Sequence, residues 1–152
     1  MDKIELASYF DESLFVPTLQ ARTKDSVLEE LVNCFATSGI VRSSAIVLEM
    51  IHRREQLGST GIGHGIAIPH GRTTAAPRLM IAFGYSKKGI AWGSMDGEPV
   101  HLVFMVVAPP QEQDNKYLPV LGRLVEVLSN SKEREKFRQV KTFTEFTNLL
   151  VS

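Results

Sequence analysis

The sequence predicts an α/β (α+β) fold: a single domain of three layers, in which helices cover both faces of a mixed β-sheet. Helix-type runs stand before and after a central group of strand-type runs, the order expected when helices pack on one sheet. Within that group, the run "VHLVFMVVA" is almost wholly apolar, as in a strand buried on both faces. A chain of 152 residues has the size of one domain, which we assign to residues 1–152.

The first third of the chain predicts mainly helices. The opening "MDKIELASYF" is typical of a short helix, and a short apolar piece follows at Leu14 to Leu19. Apolar residues recur at helical spacing in "TKDSVLEELVNCFATSG". We expect Asp25 or Ser26 to cap this helix and Gly39 to end it. The run "SSAIVLEMIHRREQLG" predicts a second helix, which begins at a serine cap and ends before Gly58.

The rest of the chain predicts strands and then helices. The run "RLMIAFGYSKKGIAW" is typical of a strand, a turn at "SKKG" and the start of another strand. "SMDGEP" predicts a turn before the long apolar strand. "NKYLPVLGRLVEVLSN" and "KEREKFRQVKTFTEFTNLLVS" predict the final helices. Pro119 must lie near the start of its helix, because it cannot donate a backbone hydrogen bond.

Composition excludes several classes of protein. The net charge is zero, which argues against a protein that binds nucleic-acid phosphates. No apolar run approaches the roughly 20 residues needed to span a bilayer. We expect no signal peptide, because the first residues show no cationic region followed by an apolar one. The single cysteine, Cys34, fits a reducing compartment. We therefore expect a cytoplasmic protein that binds no nucleic acid and is not stably inserted in a membrane.

The stretch "GSTGIGHGIAIPHGR", from Gly58 to Arg72, carries the strongest functional signal. It matches neither the P-loop nor the Rossmann glycine pattern. His64 and His70 are six residues apart with no cysteine nearby, so we expect no metal site and no other cofactor. What remains is a histidine displayed on a rigid backbone, since Pro69 fixes its own φ and the following glycine permits a turn. A neutral imidazole is nucleophilic near physiological pH, although a turn histidine with one hydrogen bond is the alternative.

The segment "REQLGSTGIGHGIAIPHG", Arg54 to Gly71, resembles the signature of the type-2 EIIA domains of the bacterial phosphoenolpyruvate-dependent phosphotransferase system. The fructose, mannitol and nitrogen-regulatory EIIA proteins form this family, and "GIAIPHG" is the most specific part of the match. The order of helices and strands resembles the family over essentially the whole chain, and "TGIGHGIAIPHG" is more similar to the nitrogen-regulatory form.

The resemblance implies roles for individual residues. His70 would be the phosphoryl acceptor, through Nε2, and Arg54 would stabilise the phosphoryl group. The alternative for Arg54 is a solvated arginine at a helix end, favoured by the helix dipole. Thr60 and the backbone of Gly61 and Gly63 would shape the pocket.

Two further positions differ from the family pattern. Tyr117 stands where many members have a second histidine, and a tyrosine hydroxyl can donate a hydrogen bond but carries no positive charge. His64 stands where many nitrogen-type members have a small polar residue; it would add a charge near the phosphoryl group or simply be exposed. For His52 and His101 we expect structural roles.

Two functions follow from the resemblance. The first is a phosphocarrier that accepts a phosphoryl group from an HPr- or NPr-like protein and regulates partners through its phosphorylation state, because the added charge makes or breaks an interface. The alternative is a sugar-specific EIIA that passes the group to an EIIB domain during fructose- or mannitol-type uptake. A third reading, motivated by Tyr117 alone, is a family member that binds partners without phosphoryl transfer.

Overall fold

A computed structural model describes all 152 residues, Met1–Ser152. It contains six helices and six strands. The helices are α1 (Lys3–Ala7), α2 (Lys24–Thr37), α3 (Ser44–Leu57), α4 (Tyr117–Ser129), α5 (Ser131–Lys136) and α6 (Phe143–Val151). The strands are β1 (Phe10–Val16), β2 (Gly61–Gly63), β3 (Ile66–Ala67), β4 (His70–Arg72), β5 (Met80–Ile90) and β6 (Val100–Ala108). No helix combines the length and the apolar character needed to cross a bilayer.

The strands form one mixed sheet in the order β1-β5-β6-β3-β2, with β4 also paired to β6. Strands β5 and β6 are antiparallel, whereas β1 pairs with β5 and both β3 and β4 pair with β6 in parallel. The mixed sheet predicted from the sequence is therefore confirmed. The apolar run "VHLVFMVVA" forms β6, which is central and buried almost throughout.

Strands β3 and β4 run along the same side of β6 without a change of register. Ile66 is opposite Leu102, and His70 is opposite Val106. The two residues between the strands, Ile68 and Pro69, keep this spacing, and the Val106 N–H donates to the Pro69 carbonyl oxygen at 2.8 Å. Residues 66–72 thus form one extended segment beside β6, in which β3 also pairs with β2 and β4 lies at the edge of the sheet.

Two apolar clusters, one on each face of the sheet, make the three layers. Helices α2 and α3 pack on one face, against residues such as Ala67, Met105 and Val107. Helices α1, α4 and α6 pack on the other, against residues such as Ile68, Phe104 and Val106. Because successive strand residues point to opposite faces, the side chains of β6 pack alternately into one cluster and the other.

Helix boundaries mostly follow the predicted caps. Helix α3 begins after Ser43, whose side chain accepts from the Ile46 N–H, and ends at Gly58. Helix α2 differs, because its cap is Thr23, which exchanges hydrogen bonds with Ser26 in a capping box. Ser26 therefore completes the cap from inside the helix, and the prediction of Asp25 or Ser26 as the cap was wrong. Pro119 lies in the first turn of α4, as predicted.

The predicted turn at "SKKG" is wrong, because β5 runs through this segment. The pairing with β6 instead becomes irregular between Tyr85 and Ile90. Gly89 has a φ of +87°, and its N–H donates to the Ser86 hydroxyl. The extra residues form a bulge, which bends a strand without reversing it.

Candidate functional site

His70 begins β4, at the edge of the sheet beside the end of β6. Its side chain is half-buried and leaves the strand on the α4 face, since Ile66 and Ile68, at the alternate positions before it, belong to the cluster under α4. The next residue, Gly71, faces α3, where a Cβ atom would overlap the Met50 side chain. The edge strand therefore carries His70 between α3 and α4.

The ring of His70 is held by its own backbone. Its Nδ1 atom lies 2.6 Å from the Ile68 carbonyl oxygen. A carbonyl oxygen only accepts, so Nδ1 must carry the proton. Nε2 then has the lone pair, and no group of the chain hydrogen-bonds to it. The arrangement leaves Nε2 available to act as a nucleophile.

The Ile68 carbonyl oxygen is itself fixed by hydrogen bonds around it. The Ile68 N–H donates to the Thr60 carbonyl oxygen at 3.0 Å, and the next carbonyl, that of Pro69, accepts from β6. Because Ile68 is buried, this segment cannot exchange these bonds freely with water. The orientation of the imidazole is therefore set by the sheet.

Burial lowers the pKa of the His70 imidazole below its ordinary value, because desolvation penalises the charged ring. The positive charge of Arg54 lowers it further. The hydrogen bond to Ile68 and the carboxylate of Glu55 act in the opposite direction without reversing the shift. The ring is thus neutral at physiological pH, the form that has a nucleophilic nitrogen.

Arg54 lies in the last turn of α3 and is half-buried. Its Nη1 donates to the Gly58 carbonyl oxygen at 2.9 Å, so the guanidinium caps the C-terminal end of the helix. Its charge also acts on the pKa of both His70 and Tyr117. Arg54 therefore satisfies the helix end, as one alternative expected, and places a positive charge near the imidazole, while its role in stabilising a phosphoryl group stays a prediction.

A buried network holds the loop between α3 and β2. The Glu55 carboxylate, 7% exposed, pairs with Lys24 Nζ at 2.6 Å. It also accepts from the hydroxyl and the N–H of Thr60, and Trp92 Nε1 donates to the Thr60 hydroxyl at 3.2 Å. Thr60 is thus tied to α3 on one side and, through Ile68, to the histidine strand on the other.

Gly61, Gly63 and His64 belong to a β-hairpin. Strands β2 and β3 are joined by His64 and Gly65, with φ values of +56° and +78°, as in a type I′ turn. Gly61 is packed against Ser94, and the backbone of His64 donates to Asp96.

The His64 side chain is exposed and does not lie beside His70. Four residues separate Ile66 and His70 along β6, about 13 Å at 3.3 Å per residue, and His64 lies beyond Ile66. Two other histidines also lie outside the site. His52 is on α3, 3.8 Å from Asp25, and His101 Nδ1 lies 2.8 Å from the Ser86 carbonyl oxygen.

Tyr117 is beside His70, on the first residue of α4. It is 8% exposed, and its ring centroid is 6.2 Å from that of His70. Burial raises the pKa of the Tyr117 hydroxyl, although Arg72 and Arg54 act to lower it. The structure thus brings four side chains together: His70, Arg54, Tyr117 and Arg72.

Sequence reasoning missed Arg72 and Glu55. Arg72 lies over the Tyr117 ring, with Cζ 4.5 Å from the centroid. Its signal was the two-residue spacing from His70, which puts both side chains on one face of a strand. Glu55 stood in the quoted "RE" pair, but only the fold shows it buried between Lys24 and Thr60.

The site is open rather than enclosed. Two clefts of about 500 and 450 Å³ are lined by segments around Arg138 and Arg78 and do not include His70. A smaller cleft of about 280 Å³ includes Arg72 and α3 residues but not His70. No three His, Cys, Asp or Glu side chains lie together in a way that could hold a metal ion. A half-buried imidazole at a sheet edge, outside these clefts, suits contact with the surface of another protein.

The fold and the site together define a three-layer α/β domain with one oriented histidine on an edge strand. The chain belongs to the family described as phosphoenolpyruvate-dependent sugar phosphotransferase system, EIIA 2, which matches residues 8–152. The resemblance read from "GIAIPHG" is confirmed.

Two relatives and one solved structure illustrate the range of the family. The nitrogen regulatory protein of Bradyrhizobium diazoefficiens is 32% identical over 81% of this chain and 79% of its own length. The fructose-specific EIIABC component of Bacillus subtilis is 36% identical over 82% of this chain, which spans only 19% of that protein. The crystal structure of nitrogen regulatory protein IIA-Ntr from Neisseria meningitidis has a TM-score of 0.87 and 29% identity, covering 96% of this chain and 99% of that one.

Proposed function

We propose that this protein is a phosphocarrier that accepts a phosphoryl group on Nε2 of His70 from an HPr- or NPr-like protein. The observation that carries the proposal is the hydrogen bond between Nδ1 and the Ile68 carbonyl oxygen. It leaves Nε2 with its lone pair, in a ring that burial keeps neutral.

The transfer is a direct exchange between two histidines. The Nε2 lone pair attacks the phosphorus of the donor's phosphohistidine, the N–P bond of the donor breaks, and its electron pair stays on the donor nitrogen. Nδ1 keeps its proton, held by Ile68. No proton has to move at the attacking nitrogen, so the protein contributes orientation and charge.

Arg54 is the residue we assign to the charge of the transferred group. Its guanidinium lies at the end of α3 and already influences the imidazole. A phosphoryl group carries negative charge that a guanidinium stabilises by charge-assisted hydrogen bonds. Thr60 acts indirectly, because its contacts with Glu55 and Ile68 hold the loop that joins Arg54 to the histidine strand.

We propose a nitrogen-type regulatory output, in which phosphorylation of His70 decides which partner binds. This assignment is supported by the likeness to nitrogen regulatory proteins over most of their length. The group adds about −1.5 to −2 charges at an exposed edge, enough to alter a docking surface. Since the donor proteins and such targets belong to the cytoplasm, we place the protein there.

The alternative output is phosphoryl transfer to an EIIB domain during sugar uptake. It is favoured by the identity to the fructose-specific EIIABC component. The chemistry at His70 would be the same. An assay of sugar phosphorylation with candidate EIIB proteins separates the two outputs: rapid sugar phosphate formation supports transport, and its absence with a phosphorylated protein supports regulation.

The experiment that tests the phosphocarrier function is intact-protein mass spectrometry after incubation with phosphoenolpyruvate, enzyme I and an HPr-type carrier. We expect an acid-labile phosphoryl adduct on the wild-type protein and none on His70→Ala. His52→Gln is the matched control, because His52 lies on α3 outside the site, and it should be labelled normally. An adduct on His70→Ala, or none on the wild-type protein with an NPr-type donor as well, would reject the assignment.

A further inference from the structure

Arg72 is placed to act on the same group as His70. It lies two residues further along β4, and alternate residues of a strand project to the same face. The intervening residue, Gly71, faces α3. Arg72 therefore leaves the sheet edge on the same face as the imidazole, where it lies over the Tyr117 ring of α4.

The Tyr117 ring connects the two side chains. Tyr117 is almost fully buried at the start of α4, and its backbone N–H donates to the Glu112 carboxylate at 2.5 Å. Burial and this hydrogen bond hold the ring in one position. The Arg72 guanidinium stacks on this ring with Cζ 4.5 Å from the centroid, and the His70 ring is 6.2 Å from the same centroid. A guanidinium over an aromatic face is attracted by the ring quadrupole.

Most N–H groups of the Arg72 guanidinium have no hydrogen-bond partner within the protein. Its one hydrogen bond, from Nη1 to the Pro110 carbonyl oxygen, is long at 3.4 Å, and the side chain is exposed. No carboxylate is paired with it. A planar guanidinium with free N–H groups is suited to bidentate contact with phosphoryl oxygens.

We propose that Arg72, stacked on Tyr117, supplies a second positive charge that binds the phosphoryl group at His70. The inference rests on the proposed phosphocarrier function. It gives Tyr117 a role that its uncharged hydroxyl cannot perform: the ring positions a cation. Arg54 comes from the last turn of α3, and Arg72 comes from β4 and lies over the Tyr117 ring, so the site contains two guanidinium groups.

The test measures single-turnover phosphoryl transfer at saturating donor, together with the ³¹P resonance of the phosphorylated protein. We expect Arg72→Ala to be roughly tenfold slower or more, because a positioned charge at the transferred group is lost. Arg72→Lys should recover part of the rate, since the charge remains without the fork. Arg22→Ala is the control, because Arg22 is exposed and lies before α2.

Variants of Tyr117 separate the ring from the hydroxyl. Tyr117→Phe keeps the aromatic ring and should lose much less of the transfer rate than Tyr117→Leu, which should resemble Arg72→Ala. In the Tyr117→Leu background, the further change of Arg72 to alanine should add little, because the two residues act as one unit. The ³¹P resonance should shift in Arg72→Ala but not in Arg22→Ala.

The possible results distinguish failure of the proposed role of Arg72 from failure of the phosphocarrier function. Normal rate and an unchanged ³¹P resonance in Arg72→Ala would overturn the role of Arg72 while the phosphocarrier function stands. A slower rate seen only below saturation, with full recovery at high donor concentration, would also overturn it, because that pattern reports docking. Absence of labelling in the wild-type protein would reject both proposals together. Since Arg72 is exposed, its variants are expected to fold, which circular dichroism checks.

Discussion

The Nδ1 atom of His70 donates to the carbonyl oxygen of Ile68, two residues earlier in the chain, across 2.6 Å. The contact is local in sequence, but the segment that makes it is held by hydrogen bonds from Ile68 to Thr60 and from β6 to Pro69. It orients the ring and selects the tautomer with a free Nε2. The orientation and the tautomer of the histidine are therefore set by the sheet edge.

The first prediction concerns the pKa of His70. The imidazole should titrate below an unstructured histidine peptide, because burial disfavours its charged form. Arg54→Gln should raise this pKa, since removal of a neighbouring positive charge favours protonation. An NMR titration of the ring resonances measures both values. A pKa above that of the peptide, or a downward shift in Arg54→Gln, would contradict the electrostatic account.

The second prediction concerns the rate of phosphorylation in Arg54→Ala. We expect transfer to slow roughly tenfold or more, because a preorganised charge near the transferred group is removed. Arg53→Ala is a close control, since Arg53 is the preceding helix residue and its side chain is exposed in a pair with Glu49. Quench-flow labelling of the two variants compares them. An equal rate in both would leave Arg54 as a helix-end cap only.

The third prediction concerns the Lys24–Glu55 pair. Lys24→Met should lower the free energy of unfolding by about 1–3 kcal/mol, because the buried Glu55 carboxylate loses its counter-charge. This range is below that of a fully buried pair, since Lys24 is partly exposed and solvent screens its charge. The double variant Lys24→Met/Glu55→Gln should recover part of this loss. Urea denaturation gives the values. If the single and double variants unfold alike, the unpaired carboxylate is not the cause.

The fourth prediction compares two glycines. Gly71→Ala should destabilise the protein by about 1–3 kcal/mol, because its Cβ would overlap Met50 and force α3 and β4 to adjust. Gly122→Ala, in the exposed middle of α4 with open space around it, should stabilise by about 0.5–1 kcal/mol. Thermal or urea unfolding compares them. Stabilisation by Gly71→Ala would mean that Met50 moves aside without cost.

Much of the fold could be predicted from local patterns. The apolar spacing of α2, the Ser43 and Gly58 boundaries of α3, and the unbroken apolar run of β6 each reflect a short-range physical preference. The turn predicted at "SKKG" failed for the opposite reason. Pairing with β6 continues past the glycine and converts a turn signal into a bulge, and such pairing is not visible in a single segment.

Some residues of the candidate site could likewise be identified from local sequence patterns, and others only from the fold. His70 was identified from its proline and glycine neighbours, and from a resemblance that the family match confirms. Its role as acceptor stays a prediction. The glycines before it predicted a tight backbone, but the hairpin places His64 away from His70. Arg72 escaped notice because the two-residue spacing from His70 was its one local signal, and its contact with Tyr117 on α4 is made only by the fold.

By itself, the sequence determined the helices, the buried central strand, the family and the histidine on which function is proposed to rest. These depend on spacing, caps and a contiguous motif. Only the tertiary structure decided which side chains surround that histidine. Arg54 comes from α3, Tyr117 from α4 and Arg72 from the edge strand, and they meet because β4 pairs with β6 between two helical layers. That convergence depends on long-range strand pairing and packing.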